Sequence, residues 1–262
     1  MDLLELMRLE QHGPDTYVGT GPSYFWGGLY GGQIVAQALR AAAATVPDGS
    51  LPHSCHAYFI RAGDADEPIR FEVQRLREGR TYSTRDVVAR QSSGAILGLS
   101  ASFARPDGAV VEVQLASAPD VPGPDALADA SWSDVFERRN GPVGPGTATA
   151  WFRLSADVPD PLIGACGLAF ASDDLPAEAV VSLHPDAGEP AGVEQLFEHY
   201  NGISLDHAIW FHRPVLPGSW QLLTVSCVGL LGSRGLAVGA VFDRDGRQSA
   251  SFTQEVLVRP RR

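Results

Sequence analysis

The distribution of apolar residues along the chain predicts a helix and then a series of strands in its first half. Apolar residues recur at helical spacing from Gly31 to residue 46, and Pro47 then ends the pattern. Strand-like runs follow at residues 53–60, 69–76, 82–90 and 95–103. Short segments of turn-forming residues separate these runs, so the pattern predicts an antiparallel meander.

The second half repeats this order. A strand is predicted over residues 147–154, and an apolar helix runs from residue 162 to about residue 172. Further strands are predicted at residues 204–212, 221–230, 235–243 and 249–258. The loop from Asp243 to Gly246 has the composition of a hairpin turn.

Two segments between these elements have the amino-acid composition of loops or linkers. Residues 111–146 are rich in Pro, Asp, Ala and Gly, and we expect them to link two domains, with a short helix at 132–138. Residues 186–192 predict a looser, exposed stretch. The predicted organisation is an N-terminal domain at 1–110, a connecting segment at 111–146 and a C-terminal domain at 147–262.

The two halves also share short sequences at a nearly constant offset. Ser100-Ala101-Ser102-Phe103 recurs as Ser249-Ala250-Ser251-Phe252, 149 positions later. His56-Ala57-Tyr58-Phe59 is echoed by the segment from His207 to Phe211, with Phe59 and Phe211 152 positions apart. The shared order favours a duplicated domain. We therefore predict an α+β fold made of two tandem copies, each a long helix wrapped by an antiparallel sheet.

Composition and charge exclude several kinds of function. The chain of 262 residues contains no lysine, so its 20 basic residues are all arginine. Schiff-base catalysis and phosphate-loop chemistry, which need a lysine amine, are therefore excluded. The net charge of −11 argues against a general nucleic-acid partner or an anionic-membrane partner.

The N-terminal residues and the cysteines favour a cytoplasmic protein. Residues 1–8 lack a basic region followed by an apolar run, so we expect no signal peptide. No segment approaches the ~18 continuous apolar residues of a membrane span. Cys55, Cys166 and Cys227 are odd in number and lie in apolar sequence, which predicts buried, reduced thiols.

Familiar catalytic and metal-binding motifs are absent from the sequence. It contains neither a Gly-x-Ser-x-Gly nucleophile elbow nor a dinucleotide-binding loop in the required context. His53 and His56 are three positions apart on a predicted strand, and His207 and His212 are five apart, so each pair faces opposite sides of the sheet. We expect structural roles for these histidines and no metal site.

Differences between the two copies point to candidate catalytic residues. The second helix ends in Asp173 and Asp174, whereas the first ends in small and apolar residues. A carboxylate at a helix C-terminus opposes the helix dipole, and burial raises its pKa, as suits a general base. Capping of the next turn by either aspartate is the competing interpretation. Gln254, which follows the second shared motif, and Ser204, which begins a predicted strand, are the other candidates.

Five segments together match a known family. They are residues 31–39 (GGQIVAQAL), 53–59 (HSCHAYF), 171–173 (ASD), 205–214 (LDHAIWFHRP) and 250–255 (ASFTQE). On these segments the chain resembles the type II acyl-CoA thioesterases along nearly its whole length. The resemblance implies a double hotdog fold, hydrolysis of acyl-CoA to a free fatty acid and coenzyme A, and assembly as a homodimer or larger homo-oligomer.

The resemblance also implies a site. In that family an Asp, a Thr or Ser and a Gln of the second hotdog hold the hydrolytic water, and matching motifs assigns these roles to Asp173, Ser204 and Gln254. Asp173 is then the general base, and neither a covalent intermediate, a cofactor nor a metal is required. The acyl chain is expected in an apolar tunnel between helix and sheet.

Two further groups are expected to contact the substrate. Backbone N–H groups near Gly31-Gly32-Gln33 can approach the oxyanion closely. Arg61, Arg80 and Arg213 are candidates for the coenzyme A phosphates.

Two other functions remain open at this point. One is an enoyl-thioester hydratase or dehydratase of the hotdog class, which pairs an Asp with a His a few residues later. This is disfavoured because Asp206 and His207 are adjacent on a strand and project to opposite faces. The other is a non-catalytic acyl-thioester-binding protein that retains the fold.

Overall fold

The secondary structure consists of short helices and long antiparallel strands. The computed structural model describes residues 1–105, 111–156, 159–187 and 197–261. Its helices are α1 (Leu3–Leu6), α2 (Gly31–Ala43), α3 (Pro161–Ala171) and α4 (Pro176–Val181), with 3₁₀ turns at Pro124–Ala126 and Pro185–Ala187. Among the described residues, no helix is long and apolar enough to cross a membrane.

The strands form two groups along the chain. Those of the first half are β1 (Glu10–Gln11), β2 (Thr16–Gly19), β3 (Leu51–Phe59), β4 (Ile69–Glu78), β5 (Tyr82–Gln91) and β6 (Gly94–Ala104). Those of the second half are β7 (Phe136–Gly144), β8 (Thr147–Leu154), β9 (Tyr200–Ser204), β10 (Asp206–Phe211), β11 (Trp220–Leu231), β12 (Arg234–Asp243) and β13 (Gln248–Pro260). The predicted strand at 204–212 is divided at Leu205 between β9 and β10.

One continuous sheet contains both groups of strands. Its order is β1-β2-β4-β5-β6-β3-β10-β13-β12-β11-β8-β7, and β9 pairs with β13 beside this path. The two halves join where β3 and β10 pair in antiparallel fashion, with Cys55 opposite Ile209 and Ala57 opposite His207. The first-half strands pack around α2, the second-half strands pack mainly against α4, and α3 lies against α2 where the two halves meet.

Helix α2 is buried along nearly its whole length. Its apolar side chains pack against β5, β6 and α3. The buried amide of Gln37 donates to the carbonyls of Leu6 and Thr20, so its polar group is satisfied inside the core. The helix ends at Ala43, earlier than predicted. Two residues later, the carbonyl oxygen of Thr45 accepts a hydrogen bond from the buried guanidinium of Arg85 at 2.9 Å.

Helix α3 is apolar on all sides and is buried accordingly. It begins with Pro161 in the first turn, and the Asp160 carboxylate caps it by accepting from the Leu162 N–H at 2.8 Å. It ends at Ala171, so the next residues leave the helix inside the protein, beside the start of α2.

Three sequence predictions require correction or fall outside the description. The predicted long helices are not confirmed, because α2 and α3 contain 13 and 11 residues. Residues 132–138 form no helix; instead β7 begins at Phe136 and pairs with β8, so part of the predicted connection belongs to the sheet. Of the stretch predicted to be exposed at 186–192, residues 188–192 lie outside the described residues.

Candidate active site

The candidate site lies where the end of α3 meets the start of α2. Asp173 follows the last residue of α3 by two positions and is buried. Ser204 is the last residue of β9, and Gln254 lies on the neighbouring strand β13. The sequence candidates, which are distant along the chain, therefore lie together at the junction of the two halves.

Hydrogen bonds connect these side chains to one another. The Ser204 hydroxyl donates to Asp173 Oδ1 at 3.3 Å, and the Gln254 amide donates to Ser204 Oγ at 2.7 Å. The second carboxylate oxygen, Asp173 Oδ2, accepts from the backbone N–H of Gly32 at 2.7 Å. The first half of the chain thus supplies a backbone contact to a side chain of the second half.

Glycine is required where α2 begins. A Cβ at Gly31 would lie 2.7 Å from Asp173 Oδ2, and a Cβ at Gly32 would lie 2.4 Å from the carbonyl oxygen of Phe170. Both distances are shorter than a van der Waals contact, so a side chain at either position would push α2 and α3 apart. The close approach lets the Gly32 N–H reach the Asp173 carboxylate.

Burial makes Asp173 a stronger base than an ordinary aspartate. Desolvation raises its pKa to about 7, while the hydrogen bonds from Gln254, Gly32 and Ser204 oppose the rise. A carboxylate with a pKa near neutrality combines a large ionised fraction with a useful affinity for a proton. Asp173 therefore has the properties of a general base near neutral pH.

Asp174, the neighbouring aspartate, belongs to a separate ionic cluster. Its Oδ2 lies 3.1 Å from Arg138 Nε, its Oδ1 accepts from Trp132 Nε1 at 2.9 Å, and Arg138 also contacts Glu178 at 2.9 Å. Helix α4 has no side-chain cap, so neither Asp173 nor Asp174 plays the capping role that the sequence left open. Burial raises the pKa of Asp174, and it raises that of Glu178 to about 7.

An aromatic group surrounds the start of α2. The Tyr30 hydroxyl donates to the Phe170 carbonyl at 2.9 Å, and the Tyr30 ring packs against the rings of Phe170 and Trp132. Tyr24 packs against Tyr30 as well and donates its hydroxyl to Gln33 Oε1. These aromatic rings make the side of the site at the start of α2 apolar, which strengthens electrostatic contacts nearby.

Two contacts at this site do not follow from the sequence. Of the backbone N–H groups at residues 31–33, the one at Gly32 donates to the Asp173 carboxylate. His207 is a buried, hydrogen-bonded histidine as expected, but its partners are Gln254 and Ser172, with Nδ1 2.7 Å from Gln254 Oε1. The sequence match between His56 and His207 is misleading here, because His56 is exposed. The residue 152 positions before His207 is Cys55, which is buried.

The two adjacent residues of the hydratase alternative do not form an acid–base pair. Asp206 Oδ1 accepts from the backbone N–H of Glu255 at 2.7 Å, whereas His207 is turned inward to Gln254. The phosphate-contact prediction is also weakened at Arg213, because its guanidinium donates to Glu112 at 2.8 Å and to the Gln248 carbonyl at 2.6 Å.

Comparison with protein families identifies two matching segments. Residues 22–104 match the acyl-CoA thioesterase N-terminal domain, and residues 113–258 match the acyl-CoA thioesterase C-terminal domain. The sequence is 32% identical to acyl-CoA thioesterase 2 of Haemophilus influenzae, with 98% of this chain and 97% of that protein covered.

Solved structures show the same architecture. The tesB protein of Mycobacterium avium subs paratuberculosis superimposes with a TM-score of 0.83 at 32% identity, covering 98% of each chain. A hot dog fold protein from Alicyclobacillus acidocaldarius, at 20% identity, superimposes with a TM-score of 0.78 over 98% of this chain and 97% of that one. The large antiparallel sheet and its two similar halves fit a double hotdog fold.

Proposed function

The chain belongs to the acyl-CoA thioesterase family, and on that premise we propose that it hydrolyses acyl-CoA with a water molecule held by Asp173, Ser204 and Gln254. The products are the free fatty acid and coenzyme A. The resemblance inferred from sequence motifs is confirmed by the family comparisons.

One observation carries the assignment of these residues. A buried carboxylate whose pKa is about 7 lies in hydrogen-bond contact with a hydroxyl, which in turn accepts from a buried amide. This arrangement supplies a proton acceptor and two groups that can orient a water molecule beside it. The half-buried position of Ser204 supports access for that water from the substrate side.

The reaction proceeds through direct attack of water. Asp173 accepts a proton from the water as its oxygen attacks the thioester carbonyl carbon, which gives a tetrahedral intermediate. The intermediate then expels the coenzyme A thiolate, and the acyl group leaves as a carboxylic acid. No bond forms between the acyl group and the protein, so Asp173 needs only to exchange protons between turnovers.

The start of α2 supports the reaction electrostatically. The first N–H groups of a helix have no partner within it, and they carry partial positive charge. One of them, at Gly32, holds Asp173 in place. The others in this first turn are the donors that we assign to the oxyanion, in place of Gly32 itself.

The organisation around the site belongs to the same proposal. The two family matches, at 22–104 and 113–258, support a division into two domains near residue 110, and the second match together with the pairing of Phe136–Gly144 with β8 favours assigning most of the segment 111–146 to the second domain. Free cysteines, two of them buried, support a cytoplasmic location. Exposed apolar side chains on strands, Tyr58, Val228 and Leu231 among them, support a homodimer or larger assembly.

Release of coenzyme A from a panel of acyl-CoAs tests the proposed function. The panel runs from acetyl to stearoyl chains and includes branched and aromatic acyl groups, and free coenzyme A is quantified by chromatography so that the protein's own thiols do not interfere. We expect turnover that is highest for one range of chain length. Binding of a non-hydrolysable acyl-CoA thioether without turnover on any chain would instead identify a non-catalytic acyl-thioester-binding protein.

A further inference from the structure

His207 occupies a fully enclosed position directly behind the candidate site. It lies on β10 between β3 and β13, with no exposed surface, and its ring stacks against that of Phe252. Both ring nitrogens have partners: Nδ1 lies 2.7 Å from Gln254 Oε1, and Nε2 lies 2.9 Å from Ser172 Oγ. The imidazole therefore connects Ser172, which precedes Asp173 in the chain, with the carbonyl oxygen of the Gln254 amide.

The protonation state of this histidine fixes the direction of the hydrogen bonds. Burial lowers the pKa of His207 to about 4, so the ring is neutral near pH 7 and carries a single N–H. The ionised Asp173 carboxylate only accepts, so the Ser204 hydroxyl donates to it and accepts in turn from Gln254 Nε2, which places Gln254 Oε1 at His207. Because an amide oxygen only accepts hydrogen bonds, Nδ1 is then the nitrogen that carries the proton. Nε2 then accepts from the Ser172 hydroxyl at 2.9 Å, a shorter contact than the 3.3 Å between that hydroxyl and the Ala169 carbonyl oxygen.

The Nδ1–H of His207 stabilises the Gln254 amide in this orientation. With Oε1 held by His207, the NH₂ group is directed to Ser204 Oγ at 2.7 Å and towards the Asp173 carboxylate. The Ser204 hydroxyl is then free to donate to Asp173 Oδ1. A reversed amide would present its oxygen to Ser204 and the carboxylate, remove one donor from the site and take up the Ser204 proton.

We propose that His207 is a positioning residue, whose Nδ1–H holds Gln254 Oε1 so that the Gln254 amide donates into the site where Asp173 activates water. This inference rests on the proposed function and adds to it a group that does not touch the substrate. Ser172 completes the chain of contacts by fixing the other side of the ring.

Three substitutions at position 207 separate positioning from simple packing. His207→Leu removes both contacts, His207→Asn provides an amide N–H close to the Nδ1 position, and His207→Gln provides one close to the Nε2 position. We expect His207→Leu to lower kcat by about 10- to 100-fold, which is the loss typical when a residue that orients a catalytic group is removed. KM should change by less than about threefold. We expect His207→Asn to recover most of the loss and His207→Gln to recover little.

Equal behaviour of the Asn and Gln variants, or an unchanged kcat in His207→Leu, would overturn the proposal. A second measurement does not depend on activity or on the folding of the Leu variant. The side-chain nitrogen shifts of His207 in the wild-type protein, assigned by their absence in His207→Asn, report the tautomer. An Nδ1–H tautomer at neutral pH is expected, and an Nε2–H tautomer contradicts the proposal.

Gln254→Ala separates this proposal from the proposed function itself. If Gln254→Ala and Asp173→Asn both lower kcat, the site is active, and adding His207→Leu to Gln254→Ala should cause no further loss. A further loss in that double variant would show that His207 acts by another route. If neither single variant changes kcat, the assignment of the site is wrong, whatever the result at position 207.

Discussion

Replacing Asp173 with Asn removes the carboxylate at the centre of the candidate site and keeps its shape. The amide oxygen of Asn can still accept from the Gly32 N–H, which now lies 2.7 Å from Asp173 Oδ2. The variant is therefore expected to fold, and its activity reports the missing base. General-base catalysis contributes about 10²- to 10⁴-fold to rate, so we expect kcat/KM to fall by that factor, or by roughly 3–5 kcal/mol in the barrier.

The same substitution has a predictable effect on stability. Burial raises the pKa of Asp173 from 3.8 to about 7, so the folded protein binds this proton more tightly than the unfolded chain does. The stability that this proton affinity contributes is fully present below about pH 4 and is lost as the pH rises through 7. At pH 8 the ionised group destabilises the fold by an amount on the order of 4 kcal/mol or less.

Thermal unfolding and hydrolysis are measured on the same samples between pH 5 and pH 8. Asp173→Asn is expected to be less active than wild type throughout and more stable than wild type at pH 8, with the stability difference closing towards pH 5. In wild type, kcat/KM is expected to rise with pH through a limb near 7, because only the ionised form accepts the proton. That limb should disappear in the variant.

Asp174→Asn is the matched control, one position along the chain and also nearly buried. It removes the charge that pairs with Arg138, but kcat should stay within about fivefold of wild type because the Asp174 side chain contacts Arg138 and Trp132 and not the proposed catalytic residues. An Asp173→Asn variant with full activity, or one whose loss is matched by Asp174→Asn, would refute the assignment of the base.

Substitutions at three further positions test the surroundings of the base. Gly32→Ala places a Cβ 2.4 Å from the Phe170 carbonyl oxygen, so it should destabilise the fold by about 1–3 kcal/mol and lower kcat. A variant with the melting temperature and activity of wild type would contradict the close approach of α2 and α3. Ser204→Ala should lower kcat by about 10- to 100-fold while Ser204→Thr, which retains the hydroxyl, stays close to wild type; equal losses would show that the hydroxyl is not what matters. Arg138→Met leaves Asp174 and Glu178 without their cation, so denaturant unfolding at pH 8 should show a loss of about 3–5 kcal/mol in the free energy of unfolding. The loss should diminish as these carboxyls protonate towards pH 5. A loss of unfolding free energy that does not depend on pH would refute this prediction.

The strands of this fold were predictable because most alternate in a regular way between buried and exposed residues. The strand predicted at 147–154 has the observed bounds, and those of the β4–β6 meander differ by one or two residues. Strand β7 escaped prediction since Gly141, Pro142 and Gly144 give it the composition of a loop. Its pairing with β8, which local sequence does not reveal, decides its conformation.

The candidate site was predictable where the two copies differ and where motifs match the family. Asp173 and Gln254 stood out because the first copy carries no acidic residue and no glutamine at the corresponding places. The role of His207 was not predictable in this way, because it depends on contacts with Ser172 and Gln254, which are 35 and 47 residues away along the chain. The contact between Gly32 and Asp173 spans 141 residues and depends on how α2 and α3 pack, which periodicity alone does not specify.

Direct attack by water is the feature that most clearly separates the proposed chemistry from acyl transfer to Asp173 itself. A single turnover in water labelled with oxygen-18, with enzyme in excess over acyl-CoA, measures it by mass spectrometry of both the acid and the Asp173 peptide. We predict that the released acid carries the label and that Asp173 remains unlabelled. An unlabelled acid together with a labelled Asp173 would contradict general-base catalysis, because it requires an acyl–Asp173 anhydride that water opens at the Asp173 carbonyl carbon.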